Sequence, residues 1–244
     1  MQVSLIILAA GQGTRMNSDL PKVLHRVAAA PLLHHAMAAG RALEPSRTVV
    51  VVGHGADEVA KAARAFDEEA EIVVQAEQLG TGHAVAQAAP LLADAPGEAI
   101  VLYGDTPFIG ADTLRAMLAA RAQHGVVVLG FHARDPGRYG RLLTQGDTLL
   151  AIREYKDATD REREITLCNS GVICASAQVL FGLVEKLGNA NAAGEYYLTD
   201  VVELARAEGL SAGVVICDEA ETLGVNTPHQ LAEAEAAFPA RARP

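Results

Sequence analysis

The chain opens with a short β-branched and aliphatic run at residues 3–8 that closes in glycines, the pattern of a strand buried on both faces and feeding a loop. Runs of the same kind recur at residues 48–52, 72–74, 99–103 and 126–131. Between them, residues 56–69 and 112–124 carry apolar positions at helical spacing. Strands that alternate with helices predict a mainly parallel sheet with helices on its faces.

After residue 131 the alternation stops. Residues 141–144 and 148–155 flank Gln145, Gly146 and Asp147, as the arms of a hairpin flank a glycine-containing turn. A strand is expected again at 168–174, helices at 178–187 and 197–208, and a last strand at 213–217. The expected fold class is α/β, a Rossmann-like, mainly parallel sheet flanked by helices, with a small β-rich substrate lobe. One domain would span residues 1–238, since no long linker divides it. The amphipathic stretch 231–238 is expected to pack against the sheet, and residues 239–244 to form a short tail.

Half of the 244 residues are hydrophobic, enough for a core without staples. Cys168, Cys174 and Cys217 form neither a CxxC pair nor a dense framework, which argues against disulfides and structural zinc and suits a reducing cytoplasm. No apolar run is long enough to span a bilayer, and no secretory leader is expected at the start. With 30 acidic against 20 basic residues the formal charge is −10, a poor field for nucleic acid. His34 and His35 lack the spacing of a zinc motif, and no GxSxG elbow marks a nucleophile. An anionic ligand would need local cations, so the placement of individual Arg and Lys residues carries more than their total.

Gly11, Gly13, Thr14 and Arg15 follow the first strand directly, at the edge where open α/β sheets bind ligands. Glycines let backbone amides approach phosphate oxygens, and Arg15 offers a bidentate fork. Met16 stands where a dinucleotide fingerprint needs its third glycine, and the loop is not a Walker A motif either. Taken alone, this GxG reads as an ordinary strand-to-helix turn with a solvated arginine. Lys22, behind the restraining Pro21, adds a second cation and makes a polyphosphate a candidate ligand.

LAAGQGTRM at 8–16 with LPKVL at 20–24 resembles the signature of sugar nucleotidyltransferases. QAEQLGTGHA at 75–84, LYGDTP at 102–107, RYGR at 138–141, EYKDAT at 154–159, GEYYLTD at 194–200 and GVN at 224–226 narrow the resemblance. In the same order, they are similar to the uridyltransferase half of the bacterial bifunctional N-acetylglucosamine-1-phosphate uridyltransferases. That family has a second, acetyltransferase domain of hexapeptide repeats, which these residues do not resemble, so only one activity and a monomer or weak homo-oligomer are expected. Gln12 stands where the family often has lysine, and Ser170 where threonine is common.

The resemblance implies that UTP and N-acetylglucosamine 1-phosphate are the substrates. Leu8, Ala9, Ala10, Gly11 and Gly13, with Gln75, Gly80 and Thr81, would hold the uridine nucleotide. An amide side chain suits a pyrimidine edge, and a small Gly80 would leave room for a ring. By itself, Gln75 also reads as a solvated strand-end residue. Gly140, Glu154 and Asn169 would hold the sugar, while Tyr103 and Gly104 would back the site, Tyr103 reading equally as core. Asp105 and Asn226 would hold Mg²⁺, which needs few protein ligands when phosphates and waters complete its shell. Arg15 and Lys22 would be the catalytic cations. The phosphate machinery does not choose the sugar, so the same chemistry on another sugar 1-phosphate or nucleotide stays open, as does a nucleotide-binding module without turnover.

Overall fold

A computed structural model describes residues 1–241, with side chains described through residue 238. The first half of the chain runs β1 (Val3–Ala9), a two-strand ribbon of β2 (Arg26–Val27) and β3 (Ala30–Pro31), α1 (Leu32–Arg41), β4 (Arg47–Val52), α2 (Ala56–Phe66), β5 (Glu71–Val74), α3 (Thr81–Ala86), α4 (Ala89–Leu92), β6 (Glu98–Tyr103), α5 (Ala111–Ala120) and β7 (Val126–His132). The second half adds β8 (Arg141–Gln145), β9 (Thr148–Arg153), α6 (Asp160–Arg163), β10 (Leu167–Ser176), α7 (Ala177–Val184), α8 (Val201–Ala207), β11 (Ala212–Cys217) and α9 (Pro228–Arg241). All the expected strands are present. Helices α1, α3, α4 and α6 are additions, α2 and α5 stop short of their expected ends, and the expected 197–208 helix is a 3₁₀ turn followed by α8.

The main sheet has the order β11-β7-β10-β6-β1-β4-β5. Along β1, Ile6 and Leu8 join one buried cluster while Leu5 and Ile7 join the other. That is why the strand is apolar on both faces from Leu5 onward: successive side chains point to opposite faces, and helices cover both. The first cluster includes residues of α3, α7 and α8, and the second includes residues of α1, α2 and α5.

Among these seven strands, β10 breaks the parallel rule. β10 runs antiparallel to both β6 and β7. β7 ends at the sheet edge where β1 and β6 also end, the chain makes the β8–β9 hairpin beyond it, and β10 returns. The β8–β9 hairpin is the small β-rich part of the fold, and it joins the sheet where Arg141 of β8 pairs with Cys168 of β10.

The segment 231–238 does not lie on the sheet as expected. Leu231, Ala234 and Phe238 of α9 join a third cluster with Met16, Val27, Leu32, Phe108 and Val225, beneath the glycine loop. Helix α9 continues through Arg241, so the structure runs helical into the expected tail, and residues 242–244 lie outside the described residues.

The register of β10 shifts between Asn169 and Ile173, and Gly171 in that irregularity has φ +94°. A Cβ there would sit 2.6 Å from Cε2 of Tyr103, so the ring of Tyr103 occupies the room this glycine leaves. Gly171→Ala must both strain the backbone and push the ring, and should destabilise the protein by about 1–3 kcal/mol. Urea unfolding would measure it, and an unchanged midpoint would show that the irregularity relaxes freely.

Candidate functional site

A cavity of about 460 Å³ opens where the carboxyl ends of β1 and β6 meet the loops that follow them. Leu8, Ala9, Ala10 and Gly11 line one wall, Gln75, Gly80 and Thr81 another, and Lys22, Tyr103, Asp105 and Asn226 lie among them. Gly104 stands just behind this lining, its N–H donating to the carbonyl of Leu8 at 2.9 Å and tying the two strand ends together. Gly13 lies against Cβ of Lys22. Arg15 is exposed and outside the lining, and Gly140, Glu154 and Asn169 form a separate group deeper in the hairpin region.

Three remote segments meet at one cation. The ammonium of Lys22 pairs with the carboxylate of Asp105 and donates to Oδ1 of Asn226 at 3.0 Å. Arg15 donates to the same Oδ1 at 3.1 Å. With two donors converging on it, that atom must be the amide oxygen. Asp105 is held from the other side by Val225, whose N–H donates to the Asp105 carbonyl at 3.0 Å, and the Asn226 N–H donates to Gln230 at 2.9 Å. A carboxylate oxygen and an amide oxygen that already share one cation are a donor set that fits a hard divalent ion taking its remaining ligands from phosphate and water. Among the described residues there is no cluster of three or more His, Cys, Asp or Glu that would hold a metal alone.

Met16 explains the loop's departure from the common phosphate motifs. Its side chain is buried in the α9 cluster and anchors the loop from beneath, so the residue that spoils a third glycine serves as the loop's plug.

Gln75 is not the solvated strand-end residue that its position alone allows. It is only 4% exposed, with Nε2 donating to the Gly80 carbonyl at 3.0 Å and lying 3.1 Å from Nδ1 of His83. The Gly80 contact fixes which end of the amide is which, because a carbonyl can only accept. Gly80 itself has φ +115°, and a Cβ there would come within 2.6 Å of the Tyr196 carbonyl oxygen. The neighbouring backbone therefore requires glycine here by itself.

In the third group, a Cβ on Gly140 would lie 3.5 Å from Oε1 of Glu154 and 3.6 Å from Cβ of Asn169, so the three residues adjoin. The Asn169 N–H donates to the Gly140 carbonyl at 2.8 Å. Thr199 donates to Glu154 at 3.1 Å. Burial nevertheless pushes the Glu154 carboxyl above its ordinary range, helped by Asp200, Asp157 and Glu195 nearby and opposed by the Thr199 hydroxyl. Tyr103 is raised too, by burial first and then by Glu154 and Asp105, so it stays a neutral phenol. It both packs on Gly171 and lines the cavity, which makes its two readings compatible.

Sequence reasoning missed Val23, Gln78, Ala84, Thr106, Tyr139, Glu195 and Gly224, which also line the cavity. Each lies inside a motif already singled out, so the signal was present at segment level. Ser170 was noticed only as a departure, and Thr222 had no signal in the sequence.

Comparison with known proteins fits this geometry. A family model described as the MobA-like NTP transferase domain matches residues 5–170. The chain is 76% identical over 241 residues to the "Bifunctional protein GlmU" of Cereibacter sphaeroides (strain ATCC 17025 / ATH 2.4.3), covering 99% of this chain and 53% of that protein. It is 60% identical over 243 residues to the protein of the same name from Ruegeria sp. (strain TM1040), covering 100% of this chain and 54% of that one. The chain thus spans about half the length of the curated relatives it matches. Among solved structures, a UDP-glucose pyrophosphorylase complexed with UDP-glucose superposes with a TM-score of 0.78 at 16% identity, covering 99% of this chain and 100% of that one. The inositol-1-phosphate CTP transferase from T. maritima gives 0.75 at 18%, covering 96% and 95%. At those identities the likeness shows the fold, which is the Rossmann-like α/β sheet expected. With the model matching most of its length, the chain belongs to the family of MobA-like NTP transferase domains.

Proposed function

We propose that this chain transfers the uridylyl group of UTP to N-acetyl-α-D-glucosamine 1-phosphate, giving UDP-N-acetylglucosamine and pyrophosphate. The observation that carries the reading is a cavity lined by the buried amide of Gln75, the ammonium of Lys22 and the oxygens of Asp105 and Asn226, with Arg15 donating to that Asn226 oxygen and Glu154 and Asn169 grouped around Gly140 in the hairpin region. Identity to GlmU proteins over nearly the whole chain supports the same reading.

In this reading Gln75 and Gly80 take the base, while the loop at Leu8, Ala9, Ala10, Gly11 and Gly13 takes the ribose and phosphates. Gly140, Glu154 and Asn169 take the sugar. A phosphate oxygen of the sugar phosphate attacks the α-phosphorus in line as pyrophosphate leaves. No general base is needed, because the attacking phosphate is already ionised. Lys22 and Arg15 neutralise the leaving pyrophosphate, and catalysis rests on positioning and charge. Asp105 and Asn226 would hold Mg²⁺, which supplies charge neutralisation at the reacting phosphates when bound. The cysteines Cys168, Cys174 and Cys217 are free thiols, which suits the reducing cytoplasm this reading assigns to the enzyme.

A panel of sugar 1-phosphates with UTP, CTP and ATP, read by pyrophosphate release, tests the assignment directly. N-acetylglucosamine 1-phosphate with UTP should give the highest kcat/KM, and a better pair would replace this reading. Asp105→Ala should lower turnover on the order of 10²-fold or more while UTP binding largely survives. Near-normal turnover at low magnesium would disprove the metal assignment.

The raised Glu154 carboxyl gives a third expectation. Its neutral form persists to higher pH than that of an exposed glutamate, so the anionic acceptor is lost early as pH falls. The KM for the sugar phosphate should therefore rise on acidification while that for UTP does not follow it. Glu154→Gln should lack this limb, and an identical profile in that variant would remove Glu154 from the sugar pocket.

A further inference from the structure

Arg141 is the largest fully buried side chain of the structure, 2% exposed, and no carboxylate among the described residues forms an ion pair with it. A buried charge without a counter-ion is costly unless dipoles replace water around it. Here backbone carbonyls do so. Nη1 donates to Pro136 at 3.2 Å and to Tyr139, Nη2 donates to Gly137 at 3.0 Å, and Nε and Nη2 both donate to Arg163, at 3.3 and 3.1 Å. The guanidinium thus gathers the carbonyls of Pro136, Gly137 and Tyr139 in the loop that joins β7 to β8 and ties them to the end of α6.

That loop ends at the site. Tyr139 lines the cavity, its ring set edge-on against Phe131 at 4.9 Å, and Gly140 adjoins Glu154 and Asn169. The residues that bear on the nucleotide end, Gln75, Gly80, Lys22 and Asp105, make no hydrogen bond to the loop or to Arg141. We propose that Arg141 is a positioning residue for the sugar phosphate: its planar fork fixes the 136–140 loop so that Tyr139 and Gly140 form the sugar wall, with no part in holding the nucleotide. A lysine cannot replace it, because one ammonium cannot reach carbonyls spread across a planar five-donor fork. The inference rests on the functional reading above.

Steady-state kinetics of Arg141→Lys and Arg141→Ala, with UTP affinity measured separately by calorimetry, test it. The kcat/KM for the sugar phosphate should fall on the order of 10²-fold through a higher KM, since a small misplacement of a positioned group costs about that much. UTP affinity should stay at the unmodified value, and guanidinium ion at a sub-denaturing concentration should restore the sugar KM of Arg141→Ala. If sugar and UTP parameters fall together, or guanidinium restores neither, Arg141 only holds the fold and the proposal is wrong. Unchanged sugar kinetics in both variants would overturn it as well. Normal turnover in the unmodified protein with either of those results fails the Arg141 assignment alone, whereas no turnover in the unmodified protein fails the functional reading and this inference with it.

Discussion

The site depends on one partly buried ion pair. Lys22 and Asp105 lie 83 residues apart in sequence, and the same ammonium reaches Asn226, 204 residues away from Lys22. Taking two charges partly out of water is favourable only when geometry is held by the surroundings. Here it is held from three sides: Met16 plugs the glycine loop into the α9 cluster, Gly104 ties the end of β6 to β1, and Val225 ties the α9 approach to Asp105. Each support is ordinary packing or a backbone hydrogen bond. Together they bring opposite charges to the same edge of the sheet, where a bound phosphate and a divalent ion could divide them, cation to anion.

The same economy explains a protein of formal charge −10 that is proposed to bind a triphosphate. Long-range attraction is not available, so local cations at fixed places must do the binding. Lys22 and Arg15 are aimed by one amide oxygen, and a buried arginine elsewhere, Arg141, spends its charge on backbone carbonyls. Cations of this chain thus serve two distinct purposes that net charge conceals.

Much of the fold was legible because the central strands are buried on both faces and therefore read as apolar runs, as residues 3–8 and 99–103 do. The direction of β10 was not, since periodicity says that residues 168–174 form a strand but not which way it enters the sheet. The destination of α9 escaped for a related reason: an apolar stripe at 231–238 specifies that a partner exists, and only tertiary structure shows that the partner is the underside of the glycine loop. At the site, Lys22, Asp105 and Asn226 were visible through motif segments, and the structure gathers them around one cation. Gln75 by itself gave no hint of burial, because its partners, Gly80 and His83, are contacts of a folded loop. Thr222 was invisible for the same reason.

The central claim is a direct displacement at the α-phosphorus, carried by position and charge. It is tested most directly by stereochemistry. UTP made chiral at the α-phosphorus with a single sulfur substitution should give UDP-N-acetylglucosamine of inverted configuration, the mark of one in-line step. Retention would require two displacements through a covalent uridylyl-enzyme, and would contradict the account.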